Sequence, residues 1–270
     1  MNTLSLAAIT TFLALPLVPL AKAGTETTVK LPARSKFHLY LLMGQSNMAG
    51  PGLLGEEDKV PHPRVLMLDT NGVWQVAVEP ITHDRPKMLG VGPGLAFGKA
   101  MAEKNPAVTI GLFPCAVGGT LLARWRRGGD LYSNAVHRAK LAMKAGSLQG
   151  ILWHQGESDS KPGLAETYGA RMTQMIRDLR ADLGTPDLPF VAGQLGEFLY
   201  TRKTNNVPEA VTVNDAIARL PKEVPHTGFI SVKGLTHKGD QLHFDGASQR
   251  EMGRRFAAQM LRLTVKPAQP

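Results

Sequence analysis

The chain has 270 residues, 43% of them hydrophobic, with 31 Lys and Arg against 22 Asp and Glu for a formal charge of +9, a composition that excludes wholesale disorder. The basic residues form no long tract and no aromatic-interleaved stripe, which argues against nucleic-acid binding and leaves acidic polymers or anionic lipid as the surfaces such a charge would favour. One cysteine, Cys115, excludes an intrachain disulfide and a Cys-based zinc site.

Along the chain, an apolar run from Leu4 to Leu20, broken by Pro16 and Pro19, ends in Ala21-Lys22-Ala23, the A-x-A pattern of a secretory cleavage site. The run is short for a membrane span and carries two prolines. It predicts a signal peptide over residues 1–23, removed before Gly24, with export to the periplasm or the medium and no stable membrane insertion. No repeat, low-complexity tract or Pro/Gly/Ser-rich linker divides residues 24–270, so a single domain is expected there. Strand-length apolar runs follow at Phe37 to Met43, Val65 to Leu68, Val108 to Phe113, Ile151 to His154, Pro189 to Gln194 and Phe229 to Val232. Between them, Gly94 to Lys104, Ser133 to Ala145, Ala165 to Leu183, Pro208 to Leu220 and Ala247 to Leu263 show helical periodicity. Near-continuous apolar strands alternating with helices predict a three-layer α/β/α sandwich around a parallel sheet.

In an open parallel sheet the ligand sits at the carboxyl ends of the strands, so the polar residues that follow each run are the ones to inspect. They are Gly44-Gln45-Ser46-Asn47, Cys115 to Thr120 with Gly118-Gly119, His154-Gln155-Gly156-Glu157-Ser158-Asp159, and the late loop Asp240 to Asp245. A serine hydroxyl is a weak nucleophile until a base held by an acid takes its proton. Asp240 and His243 are spaced so that the carboxylate folds back onto one imidazole nitrogen and leaves the other for Ser46. The G-x-S-x-G nucleophile elbow is absent from the chain. Donors for a developing oxyanion are offered by the backbone N–H of Ser46, the Gly118-Gly119 backbone and the Gln155 amide. Gln45, Asn47, His154 and Trp125 are candidate substrate contacts, Trp125 by stacking on a sugar ring. Asp245 reads as the N-cap of the last helix, and Cys115 as a buried filler. The cluster Arg124, Arg126 and Arg127 is a candidate attractor for an anionic glycan. The remaining histidines show no metal-ligand pairing such as H-E-x-x-H.

The motifs GQSNMAG, AVGGT, WHQGESD and DQLHFD stand in an order and spacing that resembles carbohydrate esterase family 6, the sialate O-acetylesterase-like branch of the SGNH hydrolases. The connecting text HPRVLMLDTNGVW, GVGPGLAFGKAM and IGLFPCAVGGT is similar too, so the likeness covers Lys36 to Leu263. The resemblance implies a flavodoxin-like sheet and hydrolysis of acetyl esters on sugars. It implies Ser46 as nucleophile, His243 as base, and oxyanion donors at Ser46, Gly119 and Gln155. Asp240 matches the D-x-x-H pattern of the acid, with Glu157 of the H-Q-G-E motif as the rival. The expected chemistry is acyl transfer through an acetyl-serine, for which no metal or organic cofactor is required. The alternatives are a generalist SGNH lipase or arylesterase, and a catalytically silent glycan-binding protein on the same fold.

Overall fold

Strand β1 (Phe37–Gly44) is apolar on both faces, and its alternate side chains go to two different cores. Phe37, Leu39, Leu41 and Met43 pack on one side of the sheet, Tyr40 and Leu42 on the other, as the period of two in a strand requires. The computed structural model describes residues 29–84, 89–202 and 207–264; the leader expected over residues 1–23 lies outside the described residues.

Six further strands complete the sheet: β2 (Val65–Leu68), β3 (Trp74–Val76), β4 (Thr109–Pro114), β5 (Ser147–His154), β6 (Phe190–Gly193) and β7 (Thr227–Ile230). Their order is β3-β2-β4-β1-β5-β6-β7. Every neighbouring pair is parallel except β2 with β3. The six expected strands are present, the last beginning at Thr227 rather than Phe229. The antiparallel edge β3 was not expected, because three residues with two exposed side chains carry too little apolar pattern to read.

Helices α2 (Pro93–Lys104) and α6 (Gly246–Thr264) cover the Tyr40 face. Helices α3 (Asp130–Ala142), α4 (Tyr168–Leu183) and α5 (Ala210–Glu223) cover the other, where Trp125, Trp153 and Tyr168 are wholly buried. Burial of each such large side chain contributes about 1.5–3 kcal/mol to folding. The three-layer sandwich is thus the observed architecture. The strand order reverses at β1, which has the later β4 on one side and β5 on the other. A crevice opens at such a reversal, and it lies beyond the carboxyl end of β1.

Candidate active site

Gly44 ends β1 with a φ of +135°, and a Cβ there would lie 2.0 Å from the carbonyl oxygen of His154. Glycine alone lets β1 and β5 close to this distance and still turn. The Gln45 N–H then donates to the His154 carbonyl at 2.8 Å, and the chain enters the single turn α1 (Ser46–Ala49), capped by left-handed Gly50. Ser46 is the first residue of that turn. Its amide has no carbonyl one turn back to bond.

His243 comes from a loop closed on itself. His237 and Phe244 form an antiparallel bridge, the Lys238 N–H donates to the His243 carbonyl at 2.9 Å, and the His237 Nδ1 accepts the amides of Gly239 and Gln241. Gln241 sits at φ +52°, an uncommon conformation for a residue with a side chain. His243 Nε2 lies 3.0 Å from Ser46 Oγ, and His243 Nδ1 lies 2.7 Å from Asp240 Oδ2. The other Asp240 oxygen accepts the N–H groups of Leu242 and His243 at 2.9 and 2.8 Å. Desolvation pushes the Asp240 carboxyl up, but the hydrogen bonds from the His243 amide, its imidazole and the Leu242 amide outweigh it and hold the carboxyl below the usual carboxylate range. Asp245, two residues after His243, accepts the Ser248 N–H at 2.8 Å and caps α6.

Ser46, His243, Gln45, Gly118, Gly119 and Glu157 line one cleft of about 490 Å³. Gly119 adopts φ +70°. The Gly118 N–H donates to Asp84 Oδ2 at 2.6 Å. The structure does not bring the other expected contacts to the cleft. Trp125 is wholly buried, edge-on to Trp153 at 5.5 Å, with its indole N–H on Thr120 Oγ1; it anchors the loop from beneath and offers no face to a sugar. His154 is equally buried. Its Nε2 donates to the Gln194 carbonyl at 3.0 Å, and burial, opposed by nearby Glu157, lowers its pKa. Gln155 is corrected as an oxyanion donor, because both its N–H groups are spent on the Thr120 carbonyl and Asp159 Oδ2 at 2.9 and 2.7 Å. Asn47 is 1% exposed and bonds Glu157 and the His243 loop rather than solvent. Glu157 meets Asn47 Nδ2 at 2.7 Å and makes no hydrogen bond to His243 among the described residues.

Of the basic cluster, Arg124 pairs with Asp130 and Arg127 with Asp178 and Asp182; Arg126 lines a separate surface hollow. Among the described residues, the Lys and Arg side chains on the Ser46 cleft are Lys161 and Arg202, and the carboxylates of Asp84 and Glu157 face it as well. Reading three residues past Glu157-Ser158 on the same loop would have reached Lys161, whereas no local pattern marks Asp84. Cys115 is buried, and desolvation pushes its thiol up to about 11, consistent with a packing role.

With this geometry in hand, the comparisons with known proteins agree on one family. The family described as carbohydrate esterase, sialic acid-specific acetylesterase, matches residues 36–262. A probable carbohydrate esterase of Arabidopsis thaliana is 34% identical over 235 residues, spanning 80% of this chain and 86% of the plant protein. Its crystal structure superposes with a TM-score of 0.75 at 31% identity, over 86% of this chain and 99% of that one. The same fold is found in NanS, at a TM-score of 0.68 and 18% identity over 86% and 98% of the two chains. A carbohydrate acetylesterase from Xanthomonas citri shares it at 0.64 and 20% identity, over 81% of this chain and 54% of that one. The chain belongs to the sialic acid-specific acetylesterase family of carbohydrate esterases.

Proposed function

We propose that the protein removes acetyl groups from acetylated sugars with Ser46 as nucleophile, His243 as general base and acid, and Asp240 as the residue that orients the imidazole. The observation that carries this reading is the continuous line from Ser46 Oγ to His243 Nε2 at 3.0 Å and from His243 Nδ1 to Asp240 Oδ2 at 2.7 Å, opening on the cleft. His243 Nε2 takes the hydroxyl proton as Ser46 Oγ bonds to the acetyl carbonyl carbon. The oxyanion is met by the backbone N–H groups of Ser46 and Gly119, each donor worth about 3 kcal/mol in such sites. The imidazolium returns its proton to the sugar oxygen, which leaves. A water, deprotonated by the same nitrogen, then splits acetyl-Ser46 into acetate and free serine. The apolar leader supports action outside the cytoplasm, in the periplasm or medium.

Lys161, set beside Asp84 and Glu157 on the cleft, is the cation that supports a sugar carrying a carboxylate, in place of the Arg124 cluster. The test is acetate release from a panel of neutral and acidic acetylated glycans by wild type and Ser46→Ala, each at low and high salt. Ser46-dependent acetate is expected, with the acidic glycans cleaved faster and losing that advantage as salt screens the cleft. No Ser46-dependent acetate from any member would remove the esterase reading; equal rates without salt dependence would remove only the preference for acidic sugars.

A further inference from the structure

Asn47 follows the nucleophile in sequence, yet its carboxamide lies along the main chain of the base. Its Nδ2 donates to the Leu242 carbonyl and its Oδ1 accepts the Phe244 N–H, both at 3.1 Å. These are the two peptide groups that flank His243. The second Nδ2 proton goes to Glu157 Oε1 at 2.7 Å, and Gln249 Nε2 approaches Oδ1 at 3.5 Å. The amide therefore has its hydrogen-bonding capacity filled. Turned over, it would set oxygen against the Leu242 carbonyl and Glu157, and N–H against the Phe244 N–H. Glu157, 3% exposed in the turn that follows β5, thus joins the Leu242 carbonyl and the Phe244 N–H in deciding which way the amide points.

The contacts within the 237–244 loop shape it without setting its distance from Ser46. The Phe244 ring, edge-on to His154 and Phe198, anchors it to the core, but apolar packing is non-directional. The bonds to Asn47 are directional, and they run from the same turn that carries the hydroxyl. We infer that Asn47 is a positioning residue that fixes His243 against Ser46, and that Glu157 acts by orienting Asn47 rather than as the acid of the triad. This rests on the acyl-transfer reading proposed above.

The test is steady-state acetate release by Asn47→Ala, Asn47→Asp, Glu157→Gln, Glu157→Ala and the double alanine variant, with Ser46→Ala alongside. Displacing the base by a fraction of an ångström is expected to lower kcat on the order of 100-fold while KM stays within about 3-fold. Asn47→Asp, which keeps the shape and sets oxygen against oxygen, is expected to lose as much as Asn47→Ala. Glu157→Gln retains an acceptor oxygen and is expected within about 5-fold of wild type, while Glu157→Ala falls with Asn47→Ala and the double variant is no worse than either. Near-normal kcat in Asn47→Ala, or a loss confined to KM, overturns the inference, and so does a Glu157→Gln loss as deep as that of Glu157→Ala. Where Asn47→Ala fails to fold, the contrast between Glu157→Gln and Glu157→Ala decides. Acetate release that survives Ser46→Ala would instead overturn the acyl-transfer reading itself.

Discussion

At the scale of single residues, Asp240 does two things with two oxygens: one fastens the Leu242 and His243 amides, and the other meets the imidazole. Asparagine would keep the first set of bonds and lose the second, presenting an N–H to His243 Nδ1 and favouring the wrong tautomer. Asp240→Asn is therefore expected to lower kcat by about 10³–10⁴-fold with the fold intact, measured as acetate release beside circular dichroism; a near-wild-type rate would remove Asp240 from the mechanism. This part of the site was legible in the sequence because Asp240 and His243 are three positions apart, and a short loop leaves the carboxylate little choice of partner. The strand ends mark Asn47, His154 and Gln155 as candidates in the sequence, and Trp125 follows Thr120, but none of this tells where their side chains point. Ser46 beside Asn47, and Glu157 and Ser158 just past His154 and Gln155, reach the cleft, while the side chains of Asn47, His154, Gln155 and Trp125 turn inward to bond Glu157, Gln194, Thr120 and Asp159. Side-chain direction in a turn depends on partners remote in sequence, such as the Leu242 carbonyl 195 positions away from Asn47. That information is absent from any local pattern.

At the scale of elements, the late loop is held at its far end by α6, whose N-cap is Asp245 and which lies against α2 and the sheet. The two helices meet at Gly253. A Cβ there would lie 2.3 Å from the Pro93 carbonyl oxygen and 2.7 Å from the Ala96 Cβ. Both are held by the frame of α2, so a methyl group must push the helices apart. Gly253→Ala is expected to destabilise the protein by about 1–3 kcal/mol despite the better helix propensity of alanine, read as a lower urea midpoint at unchanged slope. Because α6 starts two residues after Phe244, the same variant is expected to lower kcat; an unchanged urea midpoint would show that the helices separate at no cost. The helices themselves were legible, since each shows an apolar stripe of period 3.6 over more than ten residues. Their close approach was not, because a glycine in a helical pattern carries no mark of what faces it.

At the scale of the whole molecule, the sheet reversal at β1 makes the crevice, and the segment before α2 closes one side of it. Gly90 donates to the Gly50 carbonyl at 2.7 Å, and Gly52 and Val91 exchange hydrogen bonds at 3.1 and 2.8 Å, so this segment is stitched to the chain just after the Ser46 turn. Buried Glu79 pins it, accepting the Ile81 N–H at 3.0 Å and the Gly92 N–H at 3.4 Å. Desolvation, opposed by those two amides and reinforced by Asp58, pushes the Glu79 carboxyl from 4.5 up to about 8. Below pH 4.5 the group is protonated in the folded and unfolded chains alike and favours neither. Between pH 4.5 and about 8 the unfolded chain releases the proton while the folded chain keeps it, so stability falls as pH rises, by on the order of 5 kcal/mol once both forms are ionised. His154 acts in the opposite sense: burial lowers its pKa, so its contribution is present above the ordinary value of 6.5 and is lost as pH falls below it. The two trends overlap in wild type, and subtracting a variant separates them. Glu79→Gln removes the titration but sets its NH2 against one of the two backbone N–H groups, so its unfolding free energy is expected to start below wild type near about pH 4 and to gain on it progressively up to about pH 8.5. A difference that stays constant across that range would mean that Glu79 is ionised in the folded protein, and that the segment beside the Ser46 turn is held by a charge rather than by a neutral acid.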